Sequence, residues 1–166
     1  MGCGVRRATT ASGAVAFLIA ISPALAESDK PDSRDTAVIQ KCIDAKTGRN
    51  WAWESCIGVV SEACVNDEAS MPPSEVMACY YRERLVWDSI LNDSFRRLRA
   101  KLEDKQVRKM REMQRAWIAS RDKSCEFLYD YFEGTMANPM IAACQTRETG
   151  RRALFLRGFA DDREDK

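Results

Sequence analysis

The chain has 166 residues, with 26 basic and 25 acidic side chains, seven cysteines and no histidine. The absence of histidine excludes Ser-His-Asp and Cys-His catalytic arrangements, and the absence of both histidine and C-x-x-C pairs argues against zinc. Paired carboxylates remain available in principle, but so many scattered acids make coincidental pairs common. We therefore predict no enzyme activity, no catalytic residue, no metal site and no cofactor.

The N-terminal residues 1–26 have the pattern of a secretory signal peptide. Arg6 and Arg7 precede an apolar run over 14–21, and an A-x-A cleavage site ends at Ala26. The apolar run is shorter than the roughly 20 residues that span a bilayer. We expect a periplasmic or secreted protein with no lipid anchor and no stable membrane insertion after cleavage; an uncleaved anchor or a buried helix is the alternative interpretation.

The first part of the mature chain predicts a flexible leader followed by short helices. Residues 27–35 are polar and contain a proline, which is typical of a mobile segment. A first helix is predicted from Thr36 until Gly48, and a second from Trp51 to about residue 60. A single helical domain is expected over 36–160, with a frayed tail at 161–166.

Two long helices and a C-terminal helix are predicted next. The first is expected to begin with Ser74 as its N-cap after two prolines, and the second to end at Gly134, with a turn near 103–105. Apolar residues recur at helical spacing along the first helix, at Met77, Tyr80, Trp87, Leu91, Leu98 and Leu102. The second helix carries the same alternation at Val107, Met110, Gln114, Trp117, Arg121, Cys125, Leu128 and Phe132. The two helices should fold back as an antiparallel pair, with a last helix over about 138–159.

The cysteines predict three disulfides. Once Cys3 leaves with the signal peptide, six remain, which allows 15 pairings. They are Cys42, Cys56, Cys64, Cys79, Cys125 and Cys144. The preferred bridge joins Cys125 to Cys144 across the Gly134 loop. The other four cysteines then pair among themselves, and one such arrangement is Cys42 with Cys79 and Cys56 with Cys64. The predicted fold class is therefore an all-α, disulfide-stapled helical bundle.

Charge is unevenly distributed along the chain. Residues 27–80 carry 10 acidic and 5 basic side chains, whereas residues 81–166 carry 15 and 19. The basic cluster over 96–115 is interrupted by acidic residues and has no nucleic-acid recognition motif. We interpret it as a solvated helix face and expect no nucleic-acid partner.

Polar, aromatic and cysteine residues recur at defined spacings in the second half of the chain: Cys79; Asp88, Leu91, Asn92 and Phe95; Met110, Gln114, Trp117, Arg121, Asp122 and Cys125; Gly134 and Cys144; and Thr149, Arg152 and Leu156. This pattern resembles the LprI-type lysozyme inhibitor family (LprI N-terminal-like domain). The resemblance covers 75–158, and residues 36–74 form an additional N-terminal layer. Phe95, Met110 and the single glycine at 134 depart from the family's usual tyrosine, leucine and glycine pair.

The resemblance implies a small exported helical protein that binds and blocks lysozyme or a related wall hydrolase. A non-enzymatic periplasmic interaction or stress-protection module without a lysozyme target is the alternative. The shared polar residues are interpreted as a structural network between helices, with Arg121 or Arg152 paired to Asp88. The network comprises Asp88, Asn92, Gln114, Trp117, Arg121, Asp122, Thr149 and Arg152.

Partner contacts are expected on exposed loops, because the network residues are committed to one another. A lysozyme is a basic enzyme with a carboxylate-lined cleft, so an acidic rim and short hydrogen-bond donors are expected opposite it. The candidate donors are Ser70, Ser74, Thr135 and Asn138. The oligomeric state is left open.

Overall fold

The computed structural model describes residues 1, 30–46, 51–65 and 70–162, which contain six α-helices and no strand. The helices are α1 (Ser33–Asp44), α2 (Trp51–Glu54), α3 (Ser61–Cys64), α4 (Pro73–Lys101), α5 (Asp104–Phe132) and α6 (Ala137–Asp162). The predicted all-α, disulfide-stapled bundle is confirmed. No helix in these ranges combines the length and apolar composition that crossing a bilayer requires. The predicted signal peptide, apart from Met1, and residues 163–166 of the predicted tail lie outside the described residues.

The three long helices run up, down and up. The Thr146 hydroxyl donates to the Tyr80 carbonyl at 2.9 Å near the start of α4 and α6, and Arg97 contacts Asp161 at 2.7 Å near their ends. These two helices are therefore parallel. The Cys125–Cys144 bridge joins the end of α5 to the start of α6. Helix α5 is therefore antiparallel to α6, and so also to α4.

Helix α6 is the neighbour that α4 and α5 share. The backbones of α4 and α6 make most of the close approaches between helices, whereas those of α4 and α5 make few. Small side chains on α6 permit this, because buried Thr146, Gly150 and Ala153 take little space between helices. The close parallel pairing of α4 with α6 was not predicted from the sequence, which favoured α4 packing on α5.

Two of the three disulfides differ from the pairing suggested by the sequence. Cys42 is bonded to Cys56, and Cys64 to Cys79. The pairings of Cys42 with Cys79 and of Cys56 with Cys64 were wrong, because the turn over 55–60 places Cys56 against α1 and returns Cys64 to the side of α4. The third bridge joins Cys125 to Cys144, the pair preferred from the sequence.

The first helix begins earlier than predicted. It starts at Ser33 rather than Thr36, because the Asp32 carboxylate accepts hydrogen bonds from the backbone N–H groups of Arg34 and Asp35 and caps the helix. The helix ends at Asp44, and Gly48 lies outside the described residues. Residues 33–35 are thus helical and not part of a leader.

The second and third helix boundaries also differ from the sequence prediction. Helix α2 stops at Glu54, and the chain turns through Gly58, which has a φ of +108° that favours glycine. Helix α4 begins at Pro73, after Pro72 in the cap position, so Ser74 lies in the first turn rather than at the N-cap.

A buried carboxylate joins the N-terminal layer to α4. Glu83 is completely buried and accepts five hydrogen bonds. The donors are the backbone N–H groups of Gly58 (2.6 Å), Val60 (3.1 Å) and Ser61 (2.7 Å), the Ser61 hydroxyl (2.8 Å) and the Trp87 indole N–H (2.8 Å). Donors from the start of α3 thus replace the water that a buried carboxylate loses.

The buried face of α4 at its start is displaced by one residue from the predicted stripe. Val76, Cys79 and Glu83 are buried, whereas Met77 is exposed and Tyr80 is half-buried. The N-terminal layer covers the Cys79 side, which the apolar residues of α4 alone do not indicate. Trp87, Leu91 and Leu98 are buried, as the stripe predicted for the rest of the helix.

Replacing Glu83 tests this junction. Glu83→Gln keeps the shape of the side chain but replaces one accepting oxygen by an NH2 group, which would face N–H donors. The free energy of unfolding should therefore fall by roughly 3 kcal/mol. Urea denaturation is the measurement, with Glu75→Gln on the exposed start of the same helix as the control. Equal stability of the Glu83 variant and the parent would contradict the role assigned to the carboxylate.

Candidate partner-binding site

Polar side chains connect α5 to α6 in the middle of the bundle. Arg152 donates through Nε to the Gln114 side-chain oxygen. Arg121 forms an ion pair with Asp122 at 2.8 Å and donates to the Thr149 hydroxyl at 3.4 Å. The Arg152–Gln114 and Arg121–Thr149 contacts join α5 to α6, and Arg152 Nη2 is buried without a hydrogen-bond partner in the described residues.

The Trp117 ring lies between the two arginines of this network. The Arg121 and Arg152 guanidinium carbons lie 5.0 and 5.5 Å from the ring centroid, distances at which a cation is attracted to an aromatic face. Trp117 is half-buried and packs against the hydrophobic core. Its large apolar surface therefore supports the helix contact but is only partly removed from water.

Two members of the predicted network do not join it by hydrogen bonds. Asn92 is exposed on α4 and makes no hydrogen bond to the other residues, because its helix position turns it away from α5 and α6. The direct ion pair predicted for Asp88 with Arg121 or Arg152 is not formed. Arg121 instead uses Asp122, its neighbour in sequence.

Asp88 remains a half-buried carboxylate that has no direct hydrogen-bond partner among the residues that the structure describes. Burial raises its pKa above the ordinary value of 3.8, while the positive charges of Arg84 and Arg121 act in the opposite direction. The net increase means that the folded protein binds the proton more tightly than the unfolded chain does.

A cavity beside the network has a lining of balanced charge, with Glu54 and Glu148 against Arg151 and Arg152. It has a volume of about 410 Å³ and lies between α2, α5 and α6, with Trp117 and Phe155 in its wall. Arg151 at its edge pairs with Glu54 at 3.6 Å and with Glu148 at 3.1 Å. These ion pairs leave little net charge with which to select a charged ligand.

The structure brings two of the four predicted loop residues together. Ser74 and Asn138 line one groove of about 340 Å³ between the starts of α4 and α6. Ser70 and Thr135 are exposed at the same end of the bundle but do not line this groove. Ser74 and Asn138 lie close together because α4 and α6 are parallel, which places the N-terminal ends of both helices side by side.

Exposed apolar side chains concentrate at this end of the molecule, which comprises residues 73–81 and 126–141 and is called the apolar end below. Eight of the thirteen exposed large apolar side chains in the described parts of the chain belong to it. They are Met77, Tyr81, Phe127, Tyr129, Tyr131, Phe132, Met136 and Met140. Exposed groups of this size are typical of interaction surfaces.

Aromatic side chains at the end of α5 form the most exposed part of the apolar end. Phe127 and Tyr131 are 60% and 68% exposed, and their ring centroids lie 6.0 Å apart. The Tyr131 ring also meets the Phe132 ring edge to face at 4.8 Å. These contacts hold neighbouring rings at the surface, where a partner could cover them.

The charged residues within the apolar end are acidic, and the basic side chain of Arg84 lies at its margin, over the Tyr81 ring. Residues 70–81 contain Glu75 and no basic residue, and residues 124–146 contain Glu126, Asp130 and Glu133 and no basic residue. All four carboxylates are exposed. This end therefore combines apolar contact area with negative charge, which suits a basic protein surface.

The sequence interpretation missed the aromatic part of this surface. It assigned Phe132 to a core-facing stripe, but that side chain is 44% exposed because α5 extends beyond the cover that α4 and α6 provide. The available signal was the density of aromatic residues over 127–132 in a segment that contains no basic residue.

Comparison with known proteins places the chain in a family. Residues 64–156 match the family model described as "Lysozyme inhibitor LprI", which is more than half of the chain. The chain belongs to the LprI lysozyme inhibitor family. No significant match was found among curated proteins or among solved structures.

The LprI match covers the long-helix bundle and leaves most of the N-terminal layer outside. It includes α4, α5 and most of α6, together with the Cys64–Cys79 and Cys125–Cys144 bridges. Helices α1 and α2 and the Cys42–Cys56 bridge precede it. The whole apolar end therefore lies within the matched part of the chain.

The unpaired Asp88 carboxylate predicts a dependence of stability on pH. Folding raises the pKa of the Asp88 carboxyl group. Its ionisation therefore lowers the free energy of unfolding as the pH rises from about 3.8 through the pKa of the folded state. Asp88→Asn should therefore melt at a higher temperature than the parent at neutral pH, and the difference should disappear below pH 3.8. Asp93→Asn, which removes an exposed charge from the same helix, is the control. A lower melting temperature for Asp88→Asn at neutral pH would show that the charge is stabilising.

Proposed function

We propose that this protein is an exported inhibitor of a muramidase or related wall hydrolase, and that the apolar end is its contact surface. Membership of the LprI family supports the general activity. The observation that carries the proposal is the meeting of exposed aromatic rings with predominantly acidic charge at one end of the bundle.

The physical complementarity concerns both charge and packing. A basic lysozyme would be attracted by the carboxylates around the apolar end, which increases the association rate and selects against acidic proteins. Tyrosine and phenylalanine rings bury a large area with few rotatable bonds, so they commonly supply the main binding energy of an interface. We assign this role to Phe127 and Tyr131.

The small polar residues at this end are assigned a secondary role. Thr135 is exposed in the loop beside Gly134, and Asn138 lines the groove with Ser74. Their short side chains can donate to carboxylates of an enzyme cleft, but they offer little area to bury. Ser70, exposed before α4, lies at the margin of the same surface.

Export is part of the proposal. All six cysteines of the described ranges form disulfides, and such bonds persist mainly in oxidising compartments. The signal-like pattern of residues 1–26 agrees with this location. A periplasmic or secreted inhibitor would meet wall hydrolases in that compartment.

The test replaces the aromatic pair and measures inhibition. In the double variant Phe127→Ala/Tyr131→Ala, the inhibition constant for a basic lysozyme should rise by about 30-fold or more, the effect expected when interface hot spots are truncated. The matched control is Phe155→Ala/Phe159→Ala, which removes another exposed ring pair, with centroids 5.0 Å apart, from the side of α6.

Further measurements test the contact surface and the inhibitory function separately. Inhibition by the parent should weaken with added salt, because the attraction between exposed charges is screened. Equal loss in both double variants would remove the apolar end as the specific site. A folded parent protein that inhibits no muramidase or other wall hydrolase would refute the function and favour the interaction or stress-protection alternative.

A further inference from the structure

The end of the bundle opposite the apolar end is basic. The tight turn at Leu102 and Glu103 brings the last residues of α4 beside the first residues of α5. Within 96–115, called the basic end below, nine basic residues stand against the three acidic residues Glu103, Asp104 and Glu112. The nine are Arg96, Arg97, Arg99, Lys101, Lys105, Arg108, Lys109, Arg111 and Arg115.

Three arginines of the basic end converge on one groove and are not neutralised by ion pairs. Arg99 from α4 and Arg108 and Arg111 from α5 line a groove of about 390 Å³. Within the described residues they make no hydrogen bond or ion pair, whereas Arg96 pairs with Asp93 and Arg97 with Asp161. Asp104 is the one carboxylate in the groove wall, so the groove keeps an excess of positive charge.

The acidic residues of the apolar end do not cancel this excess. The rise along α5 from Arg111 in this groove to Glu126 of the apolar end is about 22 Å, which is nearly three Debye lengths of about 8 Å at physiological salt. A surface in contact with the basic end therefore interacts with the local positive charge rather than with the small net charge of the whole chain.

We propose that the basic end docks on an anionic phospholipid surface and holds the apolar end away from it. Arginine binds phosphate oxygens through two parallel N–H groups, so three unpaired arginines on one groove fit an array of phosphate headgroups. Leu102 and Val107 in the groove wall are partly exposed and can contact the upper part of the acyl region. This docking does not depend on which hydrolase the apolar end binds.

Vesicle binding by the full disulfide-bonded protein tests the proposal. The protein should sediment with phosphatidylcholine vesicles that contain phosphatidylglycerol, should not sediment with phosphatidylcholine alone, and should be released by high salt. Replacing Arg99, Arg108 and Arg111 together with glutamine should weaken binding by about 100-fold, the effect expected for three basic residues at an anionic surface. Replacing the same three with lysine should retain most of the binding.

The matched control removes the same charge elsewhere. Arg34, Lys41 and Lys46 are exposed along or just after α1 and have no ion pair within the described residues, and their replacement by glutamine should leave vesicle binding nearly unchanged. Circular dichroism should show the helical signal of the parent in every variant. Equal weakening in the two glutamine triples would overturn the groove assignment, as would equal binding to both vesicle types. Binding of inorganic phosphate by the groove without vesicle binding would assign it to a free anion and also overturn the proposal.

Discussion

The buried Glu83 carboxylate is the constraint on which the arrangement of the N-terminal layer depends. Five donors surround it, and three of them are backbone N–H groups of the turn that leads into α3. A buried carboxylate without these donors would be strongly unfavourable, so the turn and α4 specify each other. Gly150 permits the same layer to approach α6, because a β-carbon there would lie 2.9 Å from the Ile57 side chain.

The directions of the three long helices place acidic and basic residues, which are mixed along the sequence, at opposite ends of the bundle. Because α4 and α6 are parallel and α5 is antiparallel, apolar and acidic segments from two separate parts of the chain, 73–81 and 126–141, meet at one end. The basic residues before and after the turn at Leu102 meet at the other. A molecule with this separation can contact two partners of opposite charge at once, because screening makes the two ends nearly independent.

Local periodicity was sufficient to predict helices but not their neighbours. Trp87 and Leu91 repeat at helical spacing and are buried, and Gly134 ends α5 as expected. The Cys64–Cys79 bridge and the burial of Glu83 depend on the path of a loop, for which the sequence offers no periodic signal. Exposure of the α5 aromatic residues depends on where α4 and α6 stop covering that helix. For the same reason the candidate site was predicted in part, as polar loops without the rings beside them.

Hydrogen–deuterium exchange of the protein with and without a basic lysozyme measures the contact surface most directly. If the apolar end is the inhibitory surface, lysozyme should slow exchange in the last turn of α5, the loop over 133–136 and the first turn of α6. Exchange over 96–115 should remain unchanged, because that end carries positive charge and faces away. Slower exchange confined to 96–115, with no change over 127–141, would contradict the account.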